Sequence, residues 1–569
     1  MNNISVYTSR STTTTDANRT GTWRFLRPEY REKTAPCSSA CPAGTDIARV
    51  QSQVSRRNYT KALRTILKEN PFPAVCGRVC FRPCEKGCNR GAFDQPVSIQ
   101  RVERHLGDIA LNGEGPILPE KAPDNGYRVA VVGAGPAGLS AAYFLRMLGF
   151  SCEVYDANEE PGGILRWGIP TYRLPDPVIA AEVERIIRLG VKIHTGTSVD
   201  RAALHKLLKE NDALFLGCGL GRSMRLNIPG DHLVKDGLGY LRAVRSGTSP
   251  DIAGTAVVIG GGNTAVDLSR TLIRKGASKV ILIYRRRRED MPAFREEVDS
   301  AVKEGVRMTM LTAPVRIEAE NRALVVNLQS MKPVEISAGK RARVVPDGNR
   351  PTQIRSDHLF LAIGAEADPF WEEEHPAAVL SHCRVVYPDK PVILGGDLTN
   401  AVRSVPDAVA SGKQAAITLD LFYRKGLSGM EKWLDDYRVG MGPSLSMEVY
   451  RKGPRRFTSS QIVTFDQINT DYFDKIKRLP ESALNPKKNA RSFSEIYATL
   501  SAPDTTAESA RCFSCGRCTA CDNCRWFCPE VAVSVEGSRR RIETDWCKGC
   551  GICVAECPGN AMALVEESP

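Results

Sequence analysis

Three absences narrow the field before any motif is read. No run in the 569 residues reaches the ~20 consecutive apolar residues that a helix needs to cross a bilayer, which predicts a chain with no membrane span. The first residues lack the apolar core of a secretory signal; the stretch before Cys37, rich in Ser, Thr and Arg, reads as a flexible arm, with a transit peptide as the alternative. Histidine is scarce, at seven, and none stands in a motif with serine or carboxylate that would suit hydrolysis. The net charge of +13 comes without a long basic block interleaved with aromatics, so no nucleic-acid partner is expected. The basicity suits an acidic protein and anionic cofactors instead.

Cysteine, by contrast, is plentiful. Nineteen thiols outside any secretory context point to metal ligation in a reducing compartment, with the cytoplasm as the default. Near the C-terminus the same pattern occurs twice: Cys518, Cys521, Cys524 and Cys528-Pro529, then Cys547, Cys550, Cys553 and Cys557-Pro558. Three close thiolates on a tight loop hold three corners of an iron-sulfur cube, and in this arrangement the fourth ligand comes from the other run. The spacing therefore predicts one 4Fe-4S cluster on Cys518, Cys521, Cys524 and Cys557, and a second on Cys547, Cys550, Cys553 and Cys528. Zinc would need only two pairs per site, and disulfides would not demand the trailing prolines.

The middle of the chain carries two phosphate-cradling turns. The segment YRVAVVGAGPAGLSAAYFLRMLGFSCEVYDA reads as strand, glycine turn, helix and second strand ending in an acid. Gly133 makes the turn, Gly135 admits a pyrophosphate to the backbone, Gly138 allows close helix-to-strand packing, and Asp156 is placed to accept ribose hydroxyls. A second unit, TAVVIGGGNTAVDLSRTLIRKGASKVILIYRRRRED, repeats the grammar around Gly260, Gly261, Gly262 and Asn263. Arg285 and Arg286 stand where the first unit has its acid, which favours NADP(H) over NAD(H), because guanidinium groups suit a 2'-phosphate that a carboxylate would repel. Four arginines in a row also leave some free to decorate a solvated edge. Further on, Asp397 ends another strand ahead of a helix of small residues.

From about Cys37 to about Tyr423 the chain resembles the small subunit of bacterial glutamate synthase, the N-terminal half of dihydropyrimidine dehydrogenase and the large subunit of the bifurcating NADH-dependent ferredoxin:NADP oxidoreductase. The resemblance rests on CPAGTDIARV, NPFPAVCGRVCFRPCEKGCNRG, GAGPAGLSAA, EEPGGILRWGIPTYRLP, GGGNTAVD, YRRRREDMPA and GGDLTNAVRSVPDAVASGKQAA. It implies an FAD held by Gly133, Gly135, Pro136, Ala137, Gly138, Asp156, Gly162, Gly163 and Asp397, and a nicotinamide nucleotide at Gly261, Gly262, Asn263, Thr264, Arg285 and Arg286. No side chain is expected to act as a catalytic acid or base, since hydride passes directly to the flavin.

The resemblance also implies two 4Fe-4S clusters near the N-terminus, where related proteins have a further Cys-x-x-Cys pair upstream of the position of Cys37. Here Thr34, Ala35 and Pro36 precede Cys37, and the region offers six thiols, Cys37, Cys41, Cys76, Cys80, Cys84 and Cys88, plus Glu103. One local cluster is thus secure. The C-terminal domain has two cysteines to spare, Cys512 and Cys515, in a string that resembles the missing pair. The expectation is that they fold back to join Cys37 and Cys88, while Cys41, Cys80 and Cys84 hold another cluster with Glu103 or Cys76; zinc or idle thiols at Cys512 and Cys515 are the alternative. Cys152, Cys218 and Cys383 are expected to pack in the core.

The fold expected is a multidomain α/β protein: a helical iron-sulfur domain at 1–120, an FAD domain at 121–253 and 368–423 interrupted by an NAD(P)H domain at 254–367, a helical connector at 424–505, and a ferredoxin-like α+β domain at 506–569. The two central domains resemble the Rossmann-like pair of glutathione reductase. Within the connector, KWLDDYRV and NTDYFDKIKRL suggest short amphipathic helices. The function expected is a flavin-dependent NAD(P)H:ferredoxin-type oxidoreductase, working with soluble ferredoxin or as the electron-transfer subunit of a hetero-oligomer such as a 2-oxoacid or aldehyde oxidoreductase. The rival is a glutamate synthase small subunit feeding a large amidotransferase subunit.

Overall fold

A computed structural model describes residues 19–567 apart from 112, 114–115, 322, 335–342, 349–350, 368–377, 387–389, 456–459, 482–489 and 538. The first eighteen residues of the expected arm lie outside the described residues.

Two sheets carry the centre of the molecule, one mixed, with two antiparallel pairings at one edge, and one parallel throughout. In the first, seven strands run in the order Ala378–Val379, Cys383–Val386, Val392–Gly395, Ala213–Leu216, Arg128–Val132, Ser151–Tyr155 and Lys192–His194. The strand Arg128–Val132 lies between two parallel neighbours and is buried at four of its five positions, the near-continuous apolar run that a strand covered on both faces requires. In the second sheet, Arg307–Met310, Lys279–Tyr284, Thr255–Ile259, His358–Leu361 and Lys235–Asp236 lie side by side. The last of these precedes residue 254, so the second sheet takes up chain from before the boundary read in the sequence. A four-stranded antiparallel sheet, including Thr312–Glu320 and Ala323–Val334, is appended to it.

The N-terminal helices do not form a separate body. Phe72, Val75, Cys76 and Val79 share one core with Val131 and Phe215 of the seven-stranded sheet and Phe144 of the helix Pro136–Met147 packed on it. The helix Val405–Lys425 sends the fully buried Lys413 onto the Glu69 carboxylate at 2.8 Å and onto the carbonyl of Ala43. Burial pulls the Lys413 ammonium below its usual range, and the Glu69 carboxylate opposes the fall. Removing one partner of such a pair costs about 3–5 kcal/mol, so the ion pair holds the flavin domain's long helix to the N-terminal domain.

The two ends of the chain meet. Leu26–Tyr30 pairs antiparallel with Met562–Glu566, and Arg24 forks onto the carboxylate of Glu567. A flexible arm is therefore the wrong description of residues 20–30: a turn of 3-10 helix at Thr20–Trp23 leads into the strand Leu26–Tyr30, which joins the C-terminal domain, and that domain also carries the hairpin of Val533–Glu536 with Arg539–Ile542. Two short helices, Asn523–Trp526 and Ile552–Ala555, follow the two cysteine loops.

The connector also departs from expectation. Met430–Asp435 is helical, but of residues 469–479 only Thr470–Tyr472 makes a turn of 3-10 helix. The rest runs extended because other segments take its backbone groups. The N–H of Ile476 donates to Asp94, that of Arg478 to Gln95 and that of Leu479 to Glu508, while Arg511 donates to the carbonyl of Ile476. The connector is a strap that binds N-terminal and C-terminal domains together.

Candidate functional site

The first glycine turn is shaped by contacts that leave no room for side chains. Gly133 has φ +100°, and a Cβ there would stand 2.6 Å from the carbonyl oxygen of Gly217. A Cβ on Gly138 would penetrate the carbonyl of Gly133, so this glycine seats the wholly buried helix Pro136–Met147 under the strand and does not itself line the cleft above. Gly162, with its N–H on the carbonyl of Ala134, likewise stays behind the wall. Gly163, at φ +53°, faces Gly135 so closely that its Cβ would lie 2.7 Å from the Gly135 Cα. The result is bare backbone at a helix N-terminus, where the first N–H groups are unpaired and the dipole favours an anion. Asp156 is buried and accepts from the N–H of Ala134 at 2.6 Å and from the backbone and side chain of Asn158. Asp397 closes the same site from the far strand, and burial holds its carboxyl above the usual carboxylate range while Arg403 opposes the rise.

The second turn repeats the design with different chemistry at its rim. A Cβ on Gly260 would strike the carbonyl of Ala362, and one on Gly261 the ring of Tyr284. The helix Asn263–Arg274 starts beyond Gly262, and Asn263 fixes the next loop by accepting the N–H of Phe294 at 3.0 Å. Of the four arginines, Arg287 pairs with Asp290 at 2.9 Å and Arg288 with Asp299 at 2.6 Å on the outer side. Arg285 and Arg286 line the cleft together with Gly261, Gly262, Asn263 and Thr264.

Both turns open into one cleft of about 2380 Å³, more than twice the ~1,000 Å³ upper range of a single small-ligand pocket. The residues fit two extended dinucleotides: two glycine floors, one acidic end and one basic end. Cys218, expected in the core, is exposed and lines this cleft; the chain turns outward there, after the buried strand Ala213–Leu216. Cys152 and Cys383 are buried.

Two parts of the site lie beyond the glycine turns, in stretches that carry no role in the cleft expected from the sequence. Arg173 from the flavin side donates to both oxygens of Asp267 on the nucleotide side at 2.7 and 2.9 Å, and Tyr172 lies under the guanidinium groups of Arg270 and Arg274. Desolvation alone would push Arg173 down, but the adjoining carboxylates of Asp267 and Glu297 raise it overall. This clamp fixes one domain against the other. The cleft wall also includes Phe81 and Arg82 beside Cys80, and Arg478 to Glu481 of the strap; Phe81 stacks on Phe294 at 6.2 Å.

The thiols gather into four groups. Burial pushes up Cys37, and its next largest influences are the thiols of Cys88, Cys512 and Cys515; burial likewise pushes Cys512 and Cys515 up to about 12. Residues more than four hundred positions apart are thus neighbours. In a second group, Cys84 feels Cys41 and Cys80, while Cys41, Cys76 and Cys80 all feel Glu103. Burial pushes the Glu103 carboxyl up to about 8, opposed by a hydrogen bond from Asn70 at 2.9 Å. Cys76 lies at the edge of this group, its thiol directed to the Asn70 amide oxygen at 3.9 Å.

Two cavities mark the C-terminal groups. One is lined by Cys518, Cys521, Cys524 and Cys557, the other by Cys528, Cys547, Cys550 and Cys553, so each run lends its fourth cysteine to the other. Among the described residues no three His, Cys, Asp or Glu side chains converge on a single ion position.

Residues 127–412 match the family model described as pyridine nucleotide-disulphide oxidoreductase. Residues 12–114 match that of dihydropyrimidine dehydrogenase domain II with a 4Fe-4S cluster, and residues 540–563 that of the 4Fe-4S binding domain. The chain is 33% identical over 468 residues to the NADP(+)-dependent formate dehydrogenase subunit beta of Moorella thermoacetica, covering 74% of this chain and 65% of that one. It is 35% identical over 347 residues to the NADPH-Fe(3+) oxidoreductase subunit beta of Geobacter sulfurreducens, covering 59% and 51%. With the NAD-dependent dihydropyrimidine dehydrogenase subunit PreT of Escherichia coli it shares 32% identity over 388 residues, covering 67% and 89%. The chain thus spans between half and two thirds of the length of the first two relatives. Among the described residues no helix is long and apolar enough to cross a membrane.

Proposed function

The chain belongs to the pyridine nucleotide-disulphide oxidoreductase family, and from that premise we propose that it passes electrons from NADPH, through FAD and four 4Fe-4S clusters, to a partner protein. When bound, a flavin accepts the two electrons of a hydride and releases them singly, which matches a nicotinamide to one-electron clusters. The residues here do the holding and ordering. Gly133, Gly135, Gly163, Asp156 and Asp397 seat the flavin nucleotide; Gly261, Gly262, Asn263 and Thr264 seat the nicotinamide nucleotide; Arg285 and Arg286 select the 2'-phosphate. The Arg173–Asp267 clamp keeps both nucleotides facing across the cleft.

The observation that carries the reading is an unbroken succession of neighbours leading from cleft to surface. Phe81 and Arg82 line the cleft beside Cys80. Cys80 belongs with Cys41, Cys84 and Glu103, and Cys84 in turn feels Cys37 of the next group. That group is completed by Cys515, three residues before Cys518, and Cys553 feels Cys524 across the two C-terminal sites. Cys518, Cys521 and Cys550 are exposed, where a partner can reach. The relatives named above are subunits, which supports a hetero-oligomer. The partner remains open between a 2-oxoacid, formate or aldehyde oxidoreductase subunit, soluble ferredoxin and, as the rival, an amidotransferase. Nineteen free cysteines suit the cytoplasm.

Anaerobic addition of NADPH, and separately NADH, tests this directly. The flavin absorbance should bleach and the iron should be reduced at lower NADPH than NADH. Changing Arg285 and Arg286 to alanine should raise KM for NADPH by about 10- to 100-fold, the worth of one charge-assisted contact, and leave NADH nearly unaffected. Iron that stays oxidised with either nucleotide would remove the proposal.

A further inference from the structure

The two C-terminal sites are built alike. Cys528 accepts the N–H of Ala532 at 3.3 Å, and Cys557 that of Ala561 at 3.2 Å, each four residues on. What distinguishes them comes from the opposite end of the chain. Residues i and i+2 of a strand share a face, and Leu26–Tyr30 uses that face to reach both sites. Pro28, opposite Leu564, lines the Cys528 cavity; Tyr30, opposite Met562, lines the Cys518 cavity. Proline's side chain offers no hydrogen bond. The Tyr30 hydroxyl stands 3.2 Å from the sulfur of Cys524, and the thiols around it come from both sites, Cys518 and Cys524 of one and Cys553 of the other.

A metal-bound thiolate has no proton to give, so in the loaded protein the phenol is the donor. Hydrogen bonds to cluster sulfurs set reduction potential, because they favour the more negative, reduced state. We propose that Tyr30 is a positioning residue that raises the potential of the Cys518, Cys521, Cys524 and Cys557 site above that of its twin. The N-terminal strand thereby makes two similar centres unequal. The proposal rests on the reading that these four thiols hold a 4Fe-4S cluster.

The test is a redox titration of the full-length, iron-loaded protein, followed by electron paramagnetic resonance. In Tyr30→Phe one C-terminal centre should titrate at lower potential, its reduced-to-oxidised ratio at fixed potential falling about tenfold, which is about 59 mV for a one-electron centre. The other centre, the flavin spectrum and the iron content should be unchanged. Tyr30→His, which keeps a donor, should recover part of the shift. A loaded Tyr30→Phe protein with both potentials unmoved would overturn the proposal, and where that variant loses its iron, so would a loaded Tyr30→Leu protein with both potentials unmoved. A wild-type protein without C-terminal iron would instead overturn the functional reading beneath it.

Discussion

The N-terminal and C-terminal thiol groups solve the same coordination problem in opposite ways. In the C-terminal domain the thiols come in two compact runs, of which Cys518, Cys521 and Cys550 are exposed and Cys524, Cys547 and Cys553 buried. Around the N-terminal domain none of the thiols is exposed: Cys37, Cys76 and Cys84 are buried, the Glu103 carboxyl stands among them, and Cys512 and Cys515 arrive from beyond residue 510. Compact runs on a loop tolerate exposure because the loop itself fixes the geometry. Scattered ligands need a surrounding core, and here Cys37, Cys84 and Cys515 pack with Ile47, Ile99, Val463 and Phe513. The buried groups suit relays between flavin and surface, and the exposed ones suit exchange with a partner.

The most severe way to break this contrast is to remove the ligands that arrive from afar. Changing Cys512 and Cys515 together to alanine should lose one whole cluster, roughly four irons per chain. It should also interrupt reduction of the C-terminal iron by NADPH while flavin bleaching persists. An unchanged iron-to-protein ratio would mean that the two thiols are idle. The next largest effect separates the candidate fourth ligands: Glu103→Leu should alter the paramagnetic signature of one N-terminal cluster or lose it, whereas Cys76→Ser should leave it in place. The reverse result would exchange their roles.

Exposure can be probed without substitution. A ferrous chelator added to the oxidised protein should remove iron in two phases, with about half the iron, from the C-terminal groups, leaving first. A single phase would show that burial does not distinguish the groups. The smallest effect is expected at the exposed side chain of Trp526, two residues before Cys528 and 73% exposed. Trp526→Ala should slow electron delivery to a protein acceptor by a few-fold, about 1 kcal/mol in the range of an ordinary interface truncation, without changing reduction by NADPH.

The same contrast governs what could be read from the letters alone. The runs at Cys518 and Cys547 declare themselves because their chemistry is local in sequence, as do Gly133 and Gly260 because a tight turn leaves few choices of residue. The nearness of Cys512 and Cys515 to Cys37 is legible only indirectly, through a ligand count that fails to close nearby and a string that resembles the missing upstream pair. The strand Leu26–Tyr30 is not legible: LRPEY alternates apolar and charged residues over only five positions with a proline at its centre, and its partner lies more than five hundred residues away. NTDYFDKIKRL carries aromatics and charges at spacings that resemble a helical face, yet Asp94, Gln95 and Glu508 outbid the helix for its backbone. Nor does any motif announce Arg173 and Asp267 as a clamp, because an ion pair between domains leaves no periodic trace.

The pairing of Leu26–Tyr30 with Met562–Glu566 has a consequence for birth on the ribosome. At about 5–20 residues per second, the early strand waits roughly half a minute to two minutes before its mate has been synthesised. During that interval its edge is open to any passing strand, and Pro28 with the charges of Arg27 and Glu29 makes it a poor template for one. Tyr30 cannot be held against Cys524 by this pairing before then, so this corner of the C-terminal domain closes only late in synthesis.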